Sequence, residues 1–359
     1  MSSALPPVPV FDVREGGVLR FAQDGAARAR ALREDCLNWF PGAIRRLVPV
    51  IDVVAKRWLE RSASPYTDEI RRIAASLGFP GIWFLNGSYQ WSCTARAFEQ
   101  SAEPWLMRTL DWPFPGLGRH VSVAHMRGSA GEFYNVAWPG YVGTLTAMAP
   151  GRFSASINQA PMRRRTHVPF LRLADLLTNS MRTLFCVRSI PPDQLLRQVF
   201  ESCRNFDEAR RVLETTPIAR PVIYTIAGVR PGERCVIERL ENSASTRSRD
   251  TVAANDWNES TPGWKGRMSA EKMFTCTFEE AAERSRARSN SLASWQADAA
   301  GAPFGWVVEP VLNPYTRLAA EMCAARGILR VVGYEAAAGD ELPAAATQVC
   351  EVKTNAVAA

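Results

Sequence analysis

The stretch Cys93-Thr94 is followed, fifteen positions after the cysteine, by Arg108-Thr109-Leu110-Asp111-Trp112. This spacing lets two strands joined by a turn bring a thiol, a guanidinium group and a carboxylate together. A fixed cation lowers the pKa of a nearby thiol from its usual value of about 8.5, and a carboxylate can accept a hydrogen bond from the nucleophile or from an ammonium group. The pattern favours a reactive cysteine, although Arg108 and Asp111 alone could equally form an ordinary ion pair.

The composition is that of a globular protein. Of the 359 residues, 47% are hydrophobic and 22% are charged, so a sizeable core is feasible in one large domain or two modest ones. The 43 Lys and Arg residues against 36 Asp and Glu give a formal net charge of +7. Basic residues are spread among acidic ones except at Arg163-Arg164-Arg165, and no nucleic-acid-reading motif accompanies that cluster. We therefore expect no nucleic-acid partner.

The cysteine pattern argues against a metal or a redox dithiol, because no C-x-x-C pair occurs. No phosphate loop or dinucleotide fingerprint appears either, so we expect no cofactor. The N-terminus lacks the basic and apolar regions of a secretory signal, and glycine, proline and amide residues interrupt the uncharged stretch 73–95. These features predict a cytoplasmic protein without a transmembrane segment. The cysteines are Cys36, Cys93, Cys186, Cys203, Cys235, Cys276, Cys323 and Cys350.

Helical periodicity dominates the first ninety residues, and strand-like alternation begins beyond Cys93. Before Cys93, helices are predicted at 24–40, 44–61 and 67–77. After it, strands are predicted at 121–126, 134–138, 141–148, 152–157, 221–228, 234–240 and 328–334. Further helices are predicted at 171–184, 192–203, 207–214 and 269–298, with an exposed loop at 242–250. This order of elements indicates an α+β layered fold.

A thiol nucleophile needs a base, and the chain has three histidines, His120, His125 and His167. A Cys–His pair is conceivable, but none of the three has the local signature of such a pair. A second base becomes available if the chain is cut between Ser92 and Cys93. The new α-amino group titrates near pH ~8 and can serve the thiol of the same residue. The residues alone leave both alternatives open.

Several motifs occur together in the order of a known group of enzymes. They are Cys93-Thr94, 108–112, 140–143, 151–158, 221–228, 231–233, 236–239, 254–257 and 310–316. Together they resemble the N-terminal-nucleophile hydrolases, and more narrowly the branch that contains acid ceramidase, N-acylethanolamine acid amidase and choloylglycine hydrolase. The resemblance extends from about Cys93 to Tyr334 and is specific because the motifs recur in order.

The resemblance implies a four-layer αββα sandwich preceded by an N-terminal helical segment, made as a precursor that cuts itself between Ser92 and Cys93. Residues 1–92 would form one fragment and residues 93–359 the catalytic fragment, and the two would stay associated. Cys93 would be the nucleophile, while Arg108 and Asp111 would orient and tune it.

Three further site residues are implied by the same resemblance. Asn255 matches the side-chain donor of an oxyanion hole, and Asn158 matches a position whose backbone N–H completes that hole in choloylglycine hydrolases. Arg267 resembles a further active-site arginine. On the residues alone, Asn255 equally fits a turn with Asp256, and Asn158 the end of a strand.

By this resemblance, the chain is predicted to hydrolyse the amide bond of small N-acyl amides with an apolar acyl group through a thioester. Two alternatives remain: an acyltransferase that passes the acyl group to an amine, and an uncleaved, non-catalytic binding protein. Aromatic residues near the nucleophile are expected to line an acyl pocket or to belong to the core. They are Trp91, Trp112, Phe114, Trp138 and Tyr141. The oligomeric state is not predicted.

Overall fold

The computed structural model describes residues 4–87, 92–164, 174, 175, 177–179, 181, 182, 188–259, 261, 263–265, 277–296, 303–336 and 342–354. The helices are α1 (Gly17–Asp24), α2 (Ala26–Trp39), α3 (Gly42–Arg45), α4 (Val48–Arg61), α5 (Thr67–Leu77), α6 (Ile82–Gly87), α7 (Pro192–Ser202), α8 (Phe206–Thr215) and α9 (Phe278–Ser294). The first nine strands are β1 (Val10–Asp12), β2 (Ser92–Gln100), β3 (Glu103–Asp111), β4 (Ser122–Gly128), β5 (Gly131–Ala137), β6 (Thr146–Ala149), β7 (Phe153–Gln159), β8 (Met162–Arg163) and β9 (Val222–Ala227). The others are β10 (Arg234–Arg239), β11 (Ala244–Arg247), β12 (Val252–Ala253), β13 (Trp264–Lys265), β14 (Thr316–Cys323), β15 (Ile328–Glu335), β16 (Ala344–Ala345) and β17 (Cys350–Lys353).

Most strands belong to two sheets. The first sheet has eight strands in the order β1-β4-β5-β6-β7-β9-β10-β11. The second sheet has the order β12-β2-β3-β14-β15-β16, with β17 also paired to β15. Neighbours in both sheets are antiparallel except β1 and β4, which run parallel.

The two sheets pack face to face, with β2 and β3 against β7 and β9. The outer face of the first sheet is covered by α7 and α8, where the Phe200 ring stacks on Phe133 and packs on Phe153. The outer face of the second sheet is covered by α9, whose Leu292 joins a separate apolar cluster with Phe98 and other strand residues. The fold is therefore the predicted α+β sandwich with αββα layers.

The segment before Cys93 packs onto this sandwich. Buried residues of its helices, such as Phe21, Trp58 and Ile73, belong to the same hydrophobic cluster as the facing sheets. Helix α5 shows how the sequence sets the ends: acidic residues occupy its first turn and Gly78 follows its last residue with a φ of 69°. The predicted helix 67–77 is confirmed.

Other predictions need correction. In the predicted strand 141–148 only the last residues join β6, because the preceding stretch is a buried loop. The predicted exposed loop 242–250 contains β11, which pairs with β10. The predicted helix 207–214 is α8, which begins one residue earlier, at Phe206, because the Asn205 side chain caps it by accepting from the Glu208 N–H. Half of the predicted helix 171–184 lies outside the described residues, and the described residues 174, 175, 177–179, 181 and 182 are helical.

Two further elements differ from the sequence prediction: the helix predicted at 269–298 has different ends in its described part, and strand β14 was not predicted. The described part of the long helix begins after Thr277, which forms a reciprocal capping box with Glu280, and ends at Ser294. Strand β14 was not predicted, because all eight of its residues are buried and the alternation that marks a half-exposed strand is missing.

Candidate active site

The β2–β3 hairpin places the thiol. Its register pairs Cys93 with Leu110 and Ala95 with Arg108, and the loop between the strands is only Ser101 and Ala102. Both loop residues have positive φ, 51° and 64°, which is the twist that a two-residue hairpin needs. Cys93 and Arg108 are completely buried. The hairpin therefore fixes the spacing that the sequence suggested.

Arg108 connects the thiol to the facing sheet. Its Nη2 lies 2.7 Å from Cys93 Sγ, and its Nη1 donates to the Leu145 carbonyl at 3.2 Å and to the Thr146 hydroxyl. Burial raises the pKa of the Cys93 thiol, while the Arg108 guanidinium acts in the opposite direction. Cys93 is therefore a buried thiol beside a cation that favours its ionisation.

Asp111 sits at the end of β3, opposite Ser92 in the register. Its carboxylate accepts from Asn313 Nδ2 at 2.9 Å and from the Thr316 hydroxyl at 3.0 Å, and its backbone bonds to the Cys93 sulfur. Burial raises the pKa of Asp111, and the charge of Arg288 opposes that shift. The motif 310–316 thus holds Asp111 in place.

Asn255 contacts the nucleophile directly. The backbone N–H of Cys93 donates to Asn255 Oδ1 at 2.9 Å, and Asn255 Nδ2 donates to the Gln159 carbonyl at 2.9 Å. The orientation of the amide is thereby settled, because its oxygen faces a donor and its nitrogen an acceptor. Asn158 acts on the same segment: its Nδ2 donates to the carbonyls of Ala253 and Ala254, each at 3.1 Å. Asn255 therefore lies beside Cys93, and Asn158 holds the backbone segment that precedes Asn255.

Arg288 is a site residue that the sequence reading missed. From α9, its Nε donates to the Thr94 hydroxyl at 3.1 Å and its Nη2 donates to Asn255 Oδ1 at 2.9 Å. Burial lowers the pKa of Arg288, while Asp111 and Cys93 raise it. No motif marks it in a helix that also carries Arg284 and Arg286, so only the packing of α9 on β2 reveals it. The predicted Arg267 lies outside the described residues.

Two of the three histidines are engaged away from the thiol. His120 Nε2 lies 3.0 Å from Asp35 Oδ2, and burial lowers the pKa of this imidazole. His125 Nε2 lies 2.9 Å from Glu132 Oε2, and its ring stacks on Tyr134. These contacts disfavour a Cys–His pair with either residue; His167 lies outside the described residues.

An apolar cavity of about 110 Å³ lies between the N-terminal helices and the sandwich. It begins next to the site, because Leu110 pairs with Cys93 and Leu145 binds Arg108. Its lining comprises Ala29, Leu32, Arg33, Cys36, Leu37, Phe40, Val48, Phe79, Pro80, Gly81, Ile82, Phe84, Leu85, Leu110, Trp112, Phe114, Leu117, Trp138, Pro139, Tyr141 and Leu145. Four of the five predicted aromatics are among them; Trp91 lies outside the described residues.

Within the described ranges, no group of three or more His, Cys, Asp or Glu side chains is arranged to hold a metal ion. In the same part of the chain, no helix is both long enough and apolar enough to cross a membrane.

No protein-family model matches the chain. It is 27% identical over 242 residues to the N-acylethanolamine-hydrolyzing acid amidase of Cavia porcellus, covering 65% of this chain and 60% of that protein. It is 28% identical over 119 residues to the acid ceramidase of Balaenoptera acutorostrata scammoni, covering 33% and 28%. A solved structure of the Caenorhabditis elegans N-acylethanolamine-hydrolyzing acid amidase ortholog aligns with a TM-score of 0.46 at 17% identity, covering 65% of this chain and 93% of that one.

The chain thus spans about three fifths of the first of these curated relatives and less than a third of the second. It is a homologue of N-acylethanolamine-hydrolysing acid amidases and acid ceramidases, as the motifs predicted.

Proposed function

We propose that this protein is a self-cleaving cysteine amidase that hydrolyses N-acyl amides with an apolar acyl group. The observation that carries the proposal is the environment of Cys93. Its sulfur lies 2.7 Å from the Arg108 guanidinium, and its nitrogen is held by Asn255. An N-terminal nucleophile needs both atoms positioned, one to attack and one to carry the proton.

Self-cleavage is the first proposed step. Cys93 Sγ attacks the Ser92 carbonyl carbon, a C–S bond forms, and the Ser92–Cys93 C–N bond breaks as its nitrogen takes up the thiol proton. Water then hydrolyses the thioester, which leaves a carboxylate on Ser92 and a free amine and thiol on Cys93. Asn255 Oδ1 already accepts the hydrogen of the nitrogen that becomes this amine.

Amide hydrolysis follows the same chemistry on a bound substrate. The amine of Cys93, titrating near pH ~8, takes the thiol proton, and the thiolate attacks the acyl carbonyl under the influence of Arg108. The proposed oxyanion donors are Asn255 Nδ2 and the backbone N–H of Asn158. The protonated amine then gives its proton to the leaving amine, and water resolves the thioester. The charged groups Asp111 and Arg288 lie next to this proton transfer and influence it electrostatically.

The acyl specificity is proposed from the cavity. Its lining is almost entirely aliphatic and aromatic, and it opens beside the residue that pairs with Cys93. Each methylene that leaves water contributes about 0.8 kcal/mol. Longer acyl chains are therefore expected to react with higher kcat/KM until the cavity is filled.

The compartment we propose is the reducing cytoplasm. The six cysteines in the described part of the chain are all free thiols, and four of them are buried.

The proposal is tested on the purified protein by denaturing electrophoresis and terminal sequencing, followed by a screen of N-acyl amides that differ in chain length and head group. We expect two fragments, the larger one beginning at Cys93, and release of free fatty acid. The matched Cys93→Ala protein should remain one chain without activity. An intact wild-type chain after prolonged incubation would support the non-catalytic alternative. Loss of free acid to a new amide, when an amine acceptor is added, would identify an acyltransferase.

A further inference from the structure

The loop between β5 and β6, residues Trp138–Leu145, is buried along its whole length. A buried loop is unusual, because most of its backbone N–H and C=O groups need partners outside a sheet, and each unpaired group is costly. This loop contains the motif 140–143 that the sequence reading singled out. Its backbone groups are bonded by residues from several parts of the chain.

Asn86, which precedes the predicted cleavage site between Ser92 and Cys93, bonds to part of the loop backbone. Asn86 is 1% exposed and lies in α6, six positions before Ser92. Its Oδ1 accepts the N–H of Val142 at 2.8 Å, and its Nδ2 donates to the carbonyl of Gly140 at 2.9 Å. Its Nδ2 also donates to the carbonyl of Ile82 within α6 at 2.9 Å. One side chain thus ties the end of the N-terminal segment to the loop.

The carbonyl of Val142 is satisfied by a second group that the N-terminal segment stabilises. Arg197 Nη1 donates to it at 3.2 Å and to Glu69 Oε2 at 2.5 Å. Glu69 belongs to α5, so it supplies a countercharge for the almost fully buried Arg197. The N–H of Val142 is therefore bonded directly by a residue that precedes Cys93, and its carbonyl by Arg197, whose charge is balanced by Glu69 and also by Glu201 at 2.8 Å.

The far end of the loop reaches the nucleophile. The carbonyl of Leu145, the last loop residue, and the hydroxyl of Thr146 accept from Arg108 Nη1, and Arg108 Nη2 lies against Cys93 Sγ. Three other loop residues, Trp138, Pro139 and Tyr141, line the apolar cavity. A displacement of the loop would move both the cation beside the thiol and one wall of the cavity.

We propose that Asn86 is a positioning residue: through Gly140 and Val142 it holds the Trp138–Leu145 loop, and thereby Arg108, in place beside Cys93. Its contacts bridge the Ser92–Cys93 junction, so they keep the N-terminal fragment docked at the site after the chain is cut. The part of this proposal that concerns catalysis rests on the proposed function; the part that concerns the loop does not.

Hydrogen exchange read by mass spectrometry tests the loop on the full chain, whether or not it is active. We compare Asn86→Ala with Asn38→Ala, an exposed asparagine of the same N-terminal segment. Asn86→Ala should speed exchange in peptides spanning 138–146 by about tenfold or more, because buried donors and acceptors lose their partner. Asn38→Ala should leave them unchanged. Unaltered exchange of this loop in folded Asn86→Ala protein overturns the proposal.

Two variants keep the test available if Asn86→Ala does not fold. Asn86→Asp retains an oxygen for the Val142 N–H but loses the donor to Gly140, and Glu69→Gln weakens only the Arg197 contact. Each should speed exchange of the same loop by a smaller factor than complete loss of the side chain. If neither changes it, the loop is held by other contacts and the proposal is wrong.

The catalytic part is tested by the pH profile of amide hydrolysis. The charged groups that set the thiol ionisation are Arg108, Asp111 and Arg288. With Arg108 loosened, kcat should fall about tenfold and the acid limb of the profile should move to higher pH. A lower yield of active enzyme with an unchanged profile would show that Asn86 contributes to stability alone. If the wild type has no activity but the loop loosens as expected, the proposed function fails and the role of Asn86 in the loop stands.

Discussion

The two sides of Cys93 are built from different chemistry. On the side of the second sheet and α9, the site residues are joined by polar contacts: Arg288 binds Asn255 and Thr94, and Asp111 is held by Asn313 and Thr316. On the side of the N-terminal helices, the surface beside Cys93 is an apolar cavity. The polar side can control the proton and the developing charge, whereas the apolar side can control which acyl group enters. Substitutions on the two sides should therefore separate rate from selectivity.

Cys93→Ala should have the largest effect, because it removes the atom common to both sides. We expect no chain scission and a loss of amidase activity of about 10⁴-fold or more. Cys93→Ser should retain slow scission, since a hydroxyl is a weaker nucleophile than a thiol. Electrophoresis and a fatty-acid release assay measure both. Residual activity in Cys93→Ala close to that of the wild type would remove Cys93 from the mechanism.

Arg108→Met should reduce kcat by about 10²–10³-fold, because the thiolate and the transition state lose a buried cation. The thiol pKa should rise further, so the remaining activity should peak at higher pH than in the wild type. Steady-state kinetics across pH, with Arg127→Met as a control at an exposed arginine, give both quantities. Equal kcat in Arg108→Met and wild type is incompatible with the assigned role.

Arg288→Met should lower kcat by about tenfold to a hundredfold with little change in KM, because Asn255 Oδ1 loses the donor that Arg288 supplies. Arg286→Met, at an exposed position of the same helix, is the matched control. An effect confined to KM would instead assign Arg288 to substrate binding.

Ala29→Met should act on selectivity. Ala29 is buried in α2 and lines the cavity, so the larger side chain displaces about three methylene-sized groups of a bound acyl chain. At about 0.8 kcal/mol each, kcat/KM for the longest substrates should fall tenfold or more, while short substrates react unchanged. Ala27→Met, exposed on the same helix, is the control. Uniform loss across chain lengths would contradict an acyl site in this cavity.

Asp111→Asn should have the smallest effect of these substitutions. The quantity to measure is the free energy of unfolding, and the direction of its change with pH is informative. Because burial raises the pKa of Asp111 above its unfolded value, ionisation of this carboxyl opposes folding. Its stabilising contribution is fully present below pH ~3.8 and is lost as the pH rises through the folded pKa. The wild type should therefore lose stability relative to Asp111→Asn as the pH increases. Thermal unfolding at several pH values, with Asp24→Asn as an exposed control, measures the trend; an opposite slope contradicts the assignment.

The sequence predicted the layers of the fold better than the details of the site. The motif order indicated the αββα sandwich, and the predicted helix 67–77 has the bounds of α5. The two-residue turn of the β2–β3 hairpin was invisible, since Ser101-Ala102 lacks the glycine or asparagine that usually adopts positive φ. Strand β14 was invisible for another reason: all of its residues are buried, and its polar residues Thr316, Arg317 and Glu321 do not alternate with apolar ones.

The site could be predicted where residues are close along the chain or belong to a motif. Cys93, Arg108, Asp111 and Asn255 came from such patterns. Arg288 could not be found, because its role depends on the rotation of α9 against β2 rather than on its neighbours in sequence. Asn86 likewise lies outside every helix and strand that was predicted, and its contacts are to a backbone segment more than fifty residues away.

The most direct test of the central claim is the intact mass of the purified protein, mixed briefly with an N-acyl amide and quenched in acid. We predict a fragment that begins at Cys93, and a second species heavier by the mass of the acyl group less one hydrogen. Peptide mapping should locate that group on Cys93. A single mass for the uncut chain, with no acyl adduct at any time, would contradict the account.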